Sequence, residues 1–513
     1  MKKNAIFITI AVMISNILVK FLGLARDVVL ANTYGTSIYS DAYIVASNIP
    51  IVIFSVVAAA ISTSFIPMYS EINEREGEKE ALKFTNNFIN IVIVISLLIC
   101  ILGEFFPGFF VKLFAYGFTD EAYNLTVNFT KIMIPSIIIT AIMSVSGSYL
   151  QLKEDFLPIS YVSIPNNIIV IISILVAFYS RNPYILAIGT LLGMISQLIY
   201  YYPFLKRNKY KYSGYLNLKD KYIKKTLLMI MPVFIGAAVN EVNVIIDRSL
   251  VSGLEQGSIA ALNYASKLIG FITGVFIVSI ITIIYPKMSE LSAKLNLIEL
   301  RKYLSKIFLI ISILIAPITL ISIIYSKDIV RIIFERGSFD SQSTYMTGIA
   351  LASYSIGLIG IGFREVLTKA YFSIKDTKTP MINGIIAVIF NVILNIILIN
   401  RIGFVGSAIA TSISSILTSL LLLTKLEKKI GKIINLKMLI NLVKILCASF
   451  ISCMICNMIY GYFTYSTLLV QIIALITTII VTILIYILIL ILLKESIIKE
   501  GLGVIKLKVS KRR

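Results

Sequence analysis

Fourteen apolar runs, each long enough to cross a hydrocarbon core of about 30 Å, leave this chain one kind of fold. They lie near residues 5–25, 41–64, 84–106, 124–149, 158–179 and 184–205, then 226–247, 259–285, 307–325, 342–371, 380–399 and 404–424, and last 438–460 and 467–493. A backbone inside hydrocarbon must satisfy its own N–H and C=O groups, so these runs read as helices and the chain as an all-α integral membrane protein with 14 transmembrane helices. Charge content agrees: 14% of residues are charged, against about 25% in a soluble domain.

The first twelve runs form two copies about 220 residues apart, marked by punctuation rather than by periodicity. SFIPMYSEI (64–72) echoes IIYPKMSEL (283–291), YLQLKEDFLP (149–158) echoes YFSIKDTKTP (371–380), and FAYGF (114–118) resembles FERGSF (334–339). Arg26-Asp27 sits opposite Asp247-Arg248. Six spans separate the copies, so both have the same orientation and the repeat is parallel. This predicts two pseudo-symmetric six-helix lobes, 1–205 and 226–424, joined by a basic linker over 206–225. The segment 425–513 then holds two helices without a counterpart and a basic tail. With the N-terminus in the cytoplasm, the inner segments hold 33 Lys and Arg and the outer ones 8, which places both termini inside. Loop 67–83, with five glutamates, is the one dissenter. The basic start and apolar core of the N-terminus imitate a signal peptide. A related helix recurs in mid-chain, so retention is expected.

Much chemistry is excluded. The chain has no histidine, which removes Ser-His-Asp catalysis and HExxH metal sites. No GxxxxGK[ST] occurs and no loop much exceeds twenty residues, so neither an enzyme domain nor an ATP motor is indicated. Net charge is +21, but it sits in loops between spans and is explained by topology and anionic lipid, not by nucleic acid. Cys453 and Cys456 form a CxxC inside an apolar helix and read as small buried hydrophobes. Gly357, Gly360 and Gly362 read as close-packing positions, and Pro50, Pro135, Pro165, Pro203, Pro232 and Pro317 as sites where spans kink.

A secondary transporter or flippase remains, and charges inside spans indicate its cargo. The cations are Lys20, Lys131, Lys267, Arg364, Lys369 and Lys444; the acids are Asp41, Glu104, Glu241, Asp247 and Glu365. A charge at bilayer depth costs roughly 2.5–3.5 kcal/mol, so such residues usually face a protein interior or a watery cavity. Lys20 and Asp27, seven apart, share a helix face, with Arg26 one step round. Arg26 alone suits a water interface as well as a cavity; Lys20, six residues deeper, favours the cavity. Glu365 and Lys369 read as a self-neutralising i,i+4 pair, and Lys369 and Lys444 can snorkel. Cations lead, so an anionic amphiphile fits better than the cationic drug of a cation-coupled multidrug antiporter.

The run LGLARD (22–27), followed by YG (34–35), SDAYIVASNIP (40–50) and SFIPMYSE (64–71), resembles the MurJ (MviN) lipid II flippases. These belong to the multidrug/oligosaccharidyl-lipid/polysaccharide (MOP) exporter superfamily. The resemblance runs from about residue 5 to 425, with two further helices as in that family. It implies a flippase of a lipid-linked anionic glycan, lipid II, in a bacterial plasma membrane, with membrane lipids and the cell-wall synthesis machinery as its surroundings. Carried over by position, it implies substrate binding at Lys20, Arg26, Asp27 and Lys267, and a gating or structural charge at Asp41. Two departures stand out: lysine at 267 where the family has arginine, and Phe54-Ser55 where it often has a basic pair. Another undecaprenyl-linked glycan is therefore the alternative cargo. The resemblance further implies a sodium site from Asp247, Asn391, Asn395 and Thr411, for which hydrogen bonds in helix packing are the competing reading.

Overall fold

The computed structural model describes residues 2–461 and 467–493, so the basic tail expected over 494–513 lies outside the described residues. Every apolar run falls on a helix or a broken pair. The first copy holds α1 (Lys2–Tyr34), α2 (Ile38–Glu76), α3 (Glu78–Phe105), the short α4 (Pro107–Phe114), α5 (Asp120–Met133), α6 (Ser136–Leu152), α7 (Phe156–Tyr161), α8 (Ser163–Tyr179) and α9 (Tyr184–Arg207). The second holds α10 (Lys221–Val251), α11 (Ser258–Ile272), a π turn (Thr273–Ile277), α12 (Val278–Ala293), α13 (Leu297–Ile324), the short α14 (Ser326–Phe334), α15 (Ser341–Ser355), α16 (Leu358–Ser373), α17 (Lys378–Ile402) and α18 (Val405–Ile430). Helices α19 (Leu436–Tyr460) and α20 (Leu468–Leu492) follow. No strand occurs among the described residues.

Among the described residues, ten helices can cross a membrane by length and apolarity, or twelve with two bent pairs counted as single spans. The expected fourteen is not reached by this count. The long helices α1 and α10, which include residues with side chains outside the described set, are not in it.

The two copies break their helices at matching places. The pairs α5–α6 and α15–α16 each bend by 44°. The first bend holds Pro135, which has no N–H to continue the ladder. The second holds Gly357, where an added Cβ would lie 2.8 Å from the Ser412 backbone. There the Ser412 hydroxyl donates to the carbonyls of Ser353 (2.7 Å) and Tyr354 (3.2 Å), groups that an unbroken helix would have used itself. An added Cβ at Gly360 would come as close to the Ile416 backbone of α18 (2.8 Å), while one at Gly362 would meet the Ile311 side chain of α13 (3.1 Å).

Positive φ angles recur in register. Gly35 pairs with Gly257, Gly77 with Leu295, Glu154 with Lys375, Arg181 with Gly403, and Lys209 with Gly431. Side-chain-bearing residues rarely adopt this region, so its return at five matching positions marks the same turns built twice. Ion pairs repeat too: Asp155 accepts from Arg207 (2.5 Å) and Asn208 (2.8 Å), and Asp376 accepts from Lys429 at the matching place. Burial works to raise the Asp376 carboxyl, but bonds from Lys429 and Thr379 outweigh it and hold it at about 2.

Packing groups the chain into two units: Met1–Ala260 with Arg336–Asp340, and Ala261–Glu335 with Ser341–Arg513. Helix α10, first of the second copy, packs in the first unit because it lies along α2. Its Ile223 enters a core built on the stacked rings of Phe65, Phe84 and Phe88. In the second unit α19 and α20 lean on α13, where Cys453, Tyr325 and Tyr460 share a core and the Tyr486 hydroxyl donates to the Ile313 carbonyl (2.9 Å). Cys453 and Cys456 are buried, as expected of small hydrophobes.

Other span charges settle locally. Glu365 pairs with its neighbour Arg364 (3.7 Å), not with Lys369, whose ammonium lies over the Tyr285 and Phe372 rings instead. An aromatic face accommodates a half-buried cation and leaves the carboxylate to the more directional guanidinium. Lys444 reaches the Leu493 carbonyl beyond the end of α20 (3.2 Å), in keeping with snorkelling to a helix end.

Candidate functional site

Arg26 and Asp27 are adjacent on α1, a spacing at which side chains normally diverge. The guanidinium nevertheless curls back: Nε and Nη2 donate to Asp27 Oδ1 at 3.1 and 2.8 Å. Asp27 is 5% exposed, whereas the Arg26 side chain keeps 28%. The carboxylate is thus spent on orienting the arginine, with Nε and one terminal nitrogen of the guanidinium engaged by it. Tyr43 of α2 stands close enough to feel both charges, and its hydroxyl meets Thr190 of α9 at 2.8 Å. Lys20 lies on an exposed stretch of the same helix with Ile17, Leu18 and Phe21. In the second unit Lys267 is exposed on α11, between buried Tyr264 and Leu268. Lys20 and Lys267 are not counterparts in the repeat, because α11 answers α2 and α1 answers α10.

Asp41 is built differently. It is 5% exposed, and its two oxygens accept from the backbone N–H groups of Gly257 and Ala260, both at 2.7 Å. Gly257 precedes α11 and Ala260 lies in its first turn, so the carboxylate caps that helix from another. It also sits in the first turn of its own helix, α2. A charge between two helix N-termini is stabilised by both dipoles and by charge-assisted bonds, with no cation needed. A cavity of about 210 Å³ adjoins it, lined by Ile38, Phe118, Thr119, Ser252 and Glu255 among others. At this wall Gly117 nearly touches Gly253, since a Cβ on Gly117 would lie 2.3 Å from the Gly253 Cα.

Of the four residues considered for a cation, three meet in the second unit. Asn395 Nδ2 donates to Asn391 Oδ1 (2.8 Å), Asn391 Nδ2 contacts Thr411 Oγ1 (3.4 Å), and Thr411 donates to the Ser407 carbonyl (3.0 Å). The oxygens of these three residues are neutral, and a hard cation is held best when a carboxylate joins such ligands. Asp247 belongs to the first unit, where Asn243 Nδ2 donates to it (3.2 Å).

Two features escaped the sequence reading. Asn86, Asn87 and Asn90, buried on α3, hold the linker as a strap. Their amides donate to the carbonyls of Lys211 (3.0 Å), Asn217 (2.9 Å), Ser213 (3.0 Å) and Tyr215 (2.9 Å). In return Tyr210, Tyr212 and the Asn217 N–H donate to their oxygens at 2.9, 2.7 and 2.7 Å. Three amides clustered in an otherwise apolar run, FTNNFIN, were the available signal. The second copy has a comparable bond, from the Ser305 hydroxyl to the Ile433 carbonyl (2.6 Å). The second feature concerns the dissenting glutamates: Glu71 pairs with Lys225, Glu76 with Lys221 and Glu78 with Lys153. The bond from Lys225 holds the Glu71 carboxyl below its ordinary range.

The model of the family described as lipid II flippase MurJ matches residues 30–476. A probable lipid II flippase MurJ from Buchnera aphidicola subsp. Baizongia pistaciae is 30% identical over 429 residues, 83% of each chain. A solved structure of lipid II flippase MurJ in an inward closed conformation superposes with a TM-score of 0.79 at 29% identity, covering 92% of this chain and 98% of that one. An inward-facing MATE family multidrug transporter of the MOP superfamily shares the fold at 14% identity, with a TM-score of 0.68 over 80% of this chain and 94% of its own. With its repeat, its charged first helix and a match along nearly its whole length, the chain belongs to the MurJ family of lipid II flippases.

Proposed function

We infer that this protein moves lipid II, the undecaprenyl-diphosphate-linked precursor of peptidoglycan, from the inner to the outer leaflet of the bacterial plasma membrane, without altering it chemically. The observation that carries the reading is the agreement of family and fold over most of the chain, with the MurJ structure covered over 98% of its length. The distribution of loop cations supports cytoplasmic termini. Arg26, oriented by Asp27, is the first anchor for the diphosphate, with Lys20 and Lys267 as further cations. Without cargo these charges repel one another and favour a hydrated state; a bound diphosphate neutralises them and lowers the cost of closing. Asp41 acts on the backbone, not on phosphate, which it would repel: it fixes the start of α11. Movement of the repeat copies then exposes the bound headgroup alternately to the two sides while the lipid tail stays in the bilayer.

A different undecaprenyl-linked glycan is favoured as the alternative by one detail. Phe54 is buried in the core of the first unit, so at the family's basic pair only Ser55 stands where a charge could matter. The test is rescue of cells depleted of their own lipid II flippase, at matched protein levels. The chain should sustain peptidoglycan synthesis, Arg26→Ala and Lys267→Ala should abolish rescue, and Lys267→Arg should keep it. Full rescue by both alanine variants would refute the assigned anchors, and no rescue by the parent would refute the cargo.

A further inference from the structure

At one end of the first unit, α2 of the first copy runs beside α10 of the second. The last turns of α2 carry Glu71, Glu74 and Glu76 with one cation, Arg75, which also reaches Glu71 (3.3 Å), and the first turns of α10 carry Lys221, Lys224 and Lys225 behind the Asp220 cap. Each set has the wrong sign for its own helix. Acids disfavour a helix C-terminus and cations an N-terminus, by roughly 0.3–1 kcal/mol apiece. Each set has the right sign for the other helix. Glu71 takes the Lys225 ammonium on both oxygens (2.6 and 2.8 Å), and Glu76 Oε1 accepts from Lys221 (2.9 Å) and from the Tyr222 hydroxyl (2.5 Å). Beside these pairs Ile223, 1% exposed, is set into the aromatic core of α2, α3 and α6. Two of the three glutamates and two of the three lysines thus meet, in opposite order along the two helices.

We propose that this contact is a cytoplasmic latch. The pairs Glu71–Lys225 and Glu76–Lys221, with Tyr222 and the Ile223 plug, hold α2 against α10 and part when a headgroup passes between the two copies. The latch rests on the transport reading for its purpose but not for its existence. Lys225 and Lys221 keep 52% and 72% exposure, so each pair contributes little alone and the latch opens readily. The asparagine strap delivers the start of α10 to this place and leaves the closing to charge.

The test places a reporter cysteine at Ile223→Cys, with Thr226→Cys as a second reporter because Thr226 is also fully buried. Labelling by a membrane-impermeant maleimide is followed in inverted membrane vesicles. Mass spectrometry of the labelled peptide lets the four native cysteines remain. Glu71→Lys or Lys225→Glu should speed labelling about three- to tenfold, the double swap should return it close to the parent rate, and raised salt should speed the parent. The milder Glu71→Gln/Glu76→Gln pair should lie between. Parent-like labelling in the single reversals, or a swap as fast as either single change, would overturn the latch. Labelling needs no cargo, so this result and the failure of lipid transport are separate outcomes.

Discussion

Replacing Asp41 by alanine removes the carboxylate oxygens that accept from the N–H groups of Gly257 and Ala260. A buried N–H left without a partner costs about 1–3 kcal/mol, and losing a charge at a helix N-terminus adds roughly 0.3–1 kcal/mol. The adjoining cavity of about 210 Å³ is wide enough for water to replace part of what is lost, which favours the low half of the range. A net cost of about 3 kcal/mol follows, or more than a hundredfold in local opening at 1.4 kcal/mol per decade. Asp41→Asn keeps one acceptor oxygen and should cost about half as much. Hydrogen–deuterium exchange of the purified protein, read on peptides covering 252–262, measures this directly. The Gly257 and Ala260 amides should exchange at least thirtyfold faster in Asp41→Ala, while amides of α3 should keep the parent rate. A rise below threefold would mean that the bonds carry little of the helix start, and the structural role given to Asp41 would fall.

Asn90→Ala deletes two strap carbonyl contacts and the acceptor of the Tyr212 hydroxyl, at a cost of about 1–3 kcal/mol. Limited trypsinolysis at Lys209 and Lys211 should then accelerate at least fivefold; unchanged cleavage would show that the strap holds without that rung. If sodium binds with Asp247 as the charged ligand of the neutral Asn391, Asn395 and Thr411 set, sodium should raise the melting temperature of the parent over potassium at equal ionic strength. Asp247→Asn should abolish that difference, and its persistence would remove the site.

Much of the architecture could be read from the chain because hydrocarbon permits so little else. Run lengths gave the helices, and paired punctuation such as SFIPMYSEI with IIYPKMSEL gave the repeat. What could not be read was partner choice across helices. Asp41 was visible as a costly charge in a span, but its partners are backbone amides that no side-chain pattern encodes. Packing α10 with the first unit depends on Ile223 and on charges of the wrong sign for their own helices, which becomes meaningful only once α2 is seen beside them. The sequence reads 67–83 as a connection, whereas α2 continues to Glu76 and α3 starts at Glu78, with Gly77 at φ 86° between them. Glutamate and lysine are good helix formers, so the helices persist beyond the apolar run. The two roles of Arg26, interface anchor or anion anchor, were even in the sequence. Its partial exposure beside a buried Asp27 is what bears on that choice.

The strap also orders events during synthesis. Its rungs join residues 122–130 positions apart, with the asparagines made early on α3 and their partners emerging just after α9. Nothing can fasten until the whole first copy has left the ribosome and entered the bilayer. Once it has, the next segment to emerge is the one that zips onto it, ahead of α10 in the order of the chain. Completion of one copy is thereby registered in hydrogen bonds at the moment translation turns to the other. A chain whose first six spans were misthreaded would not bring the α3 amides and the linker to the same side, and α10 would arrive without a fixed starting point.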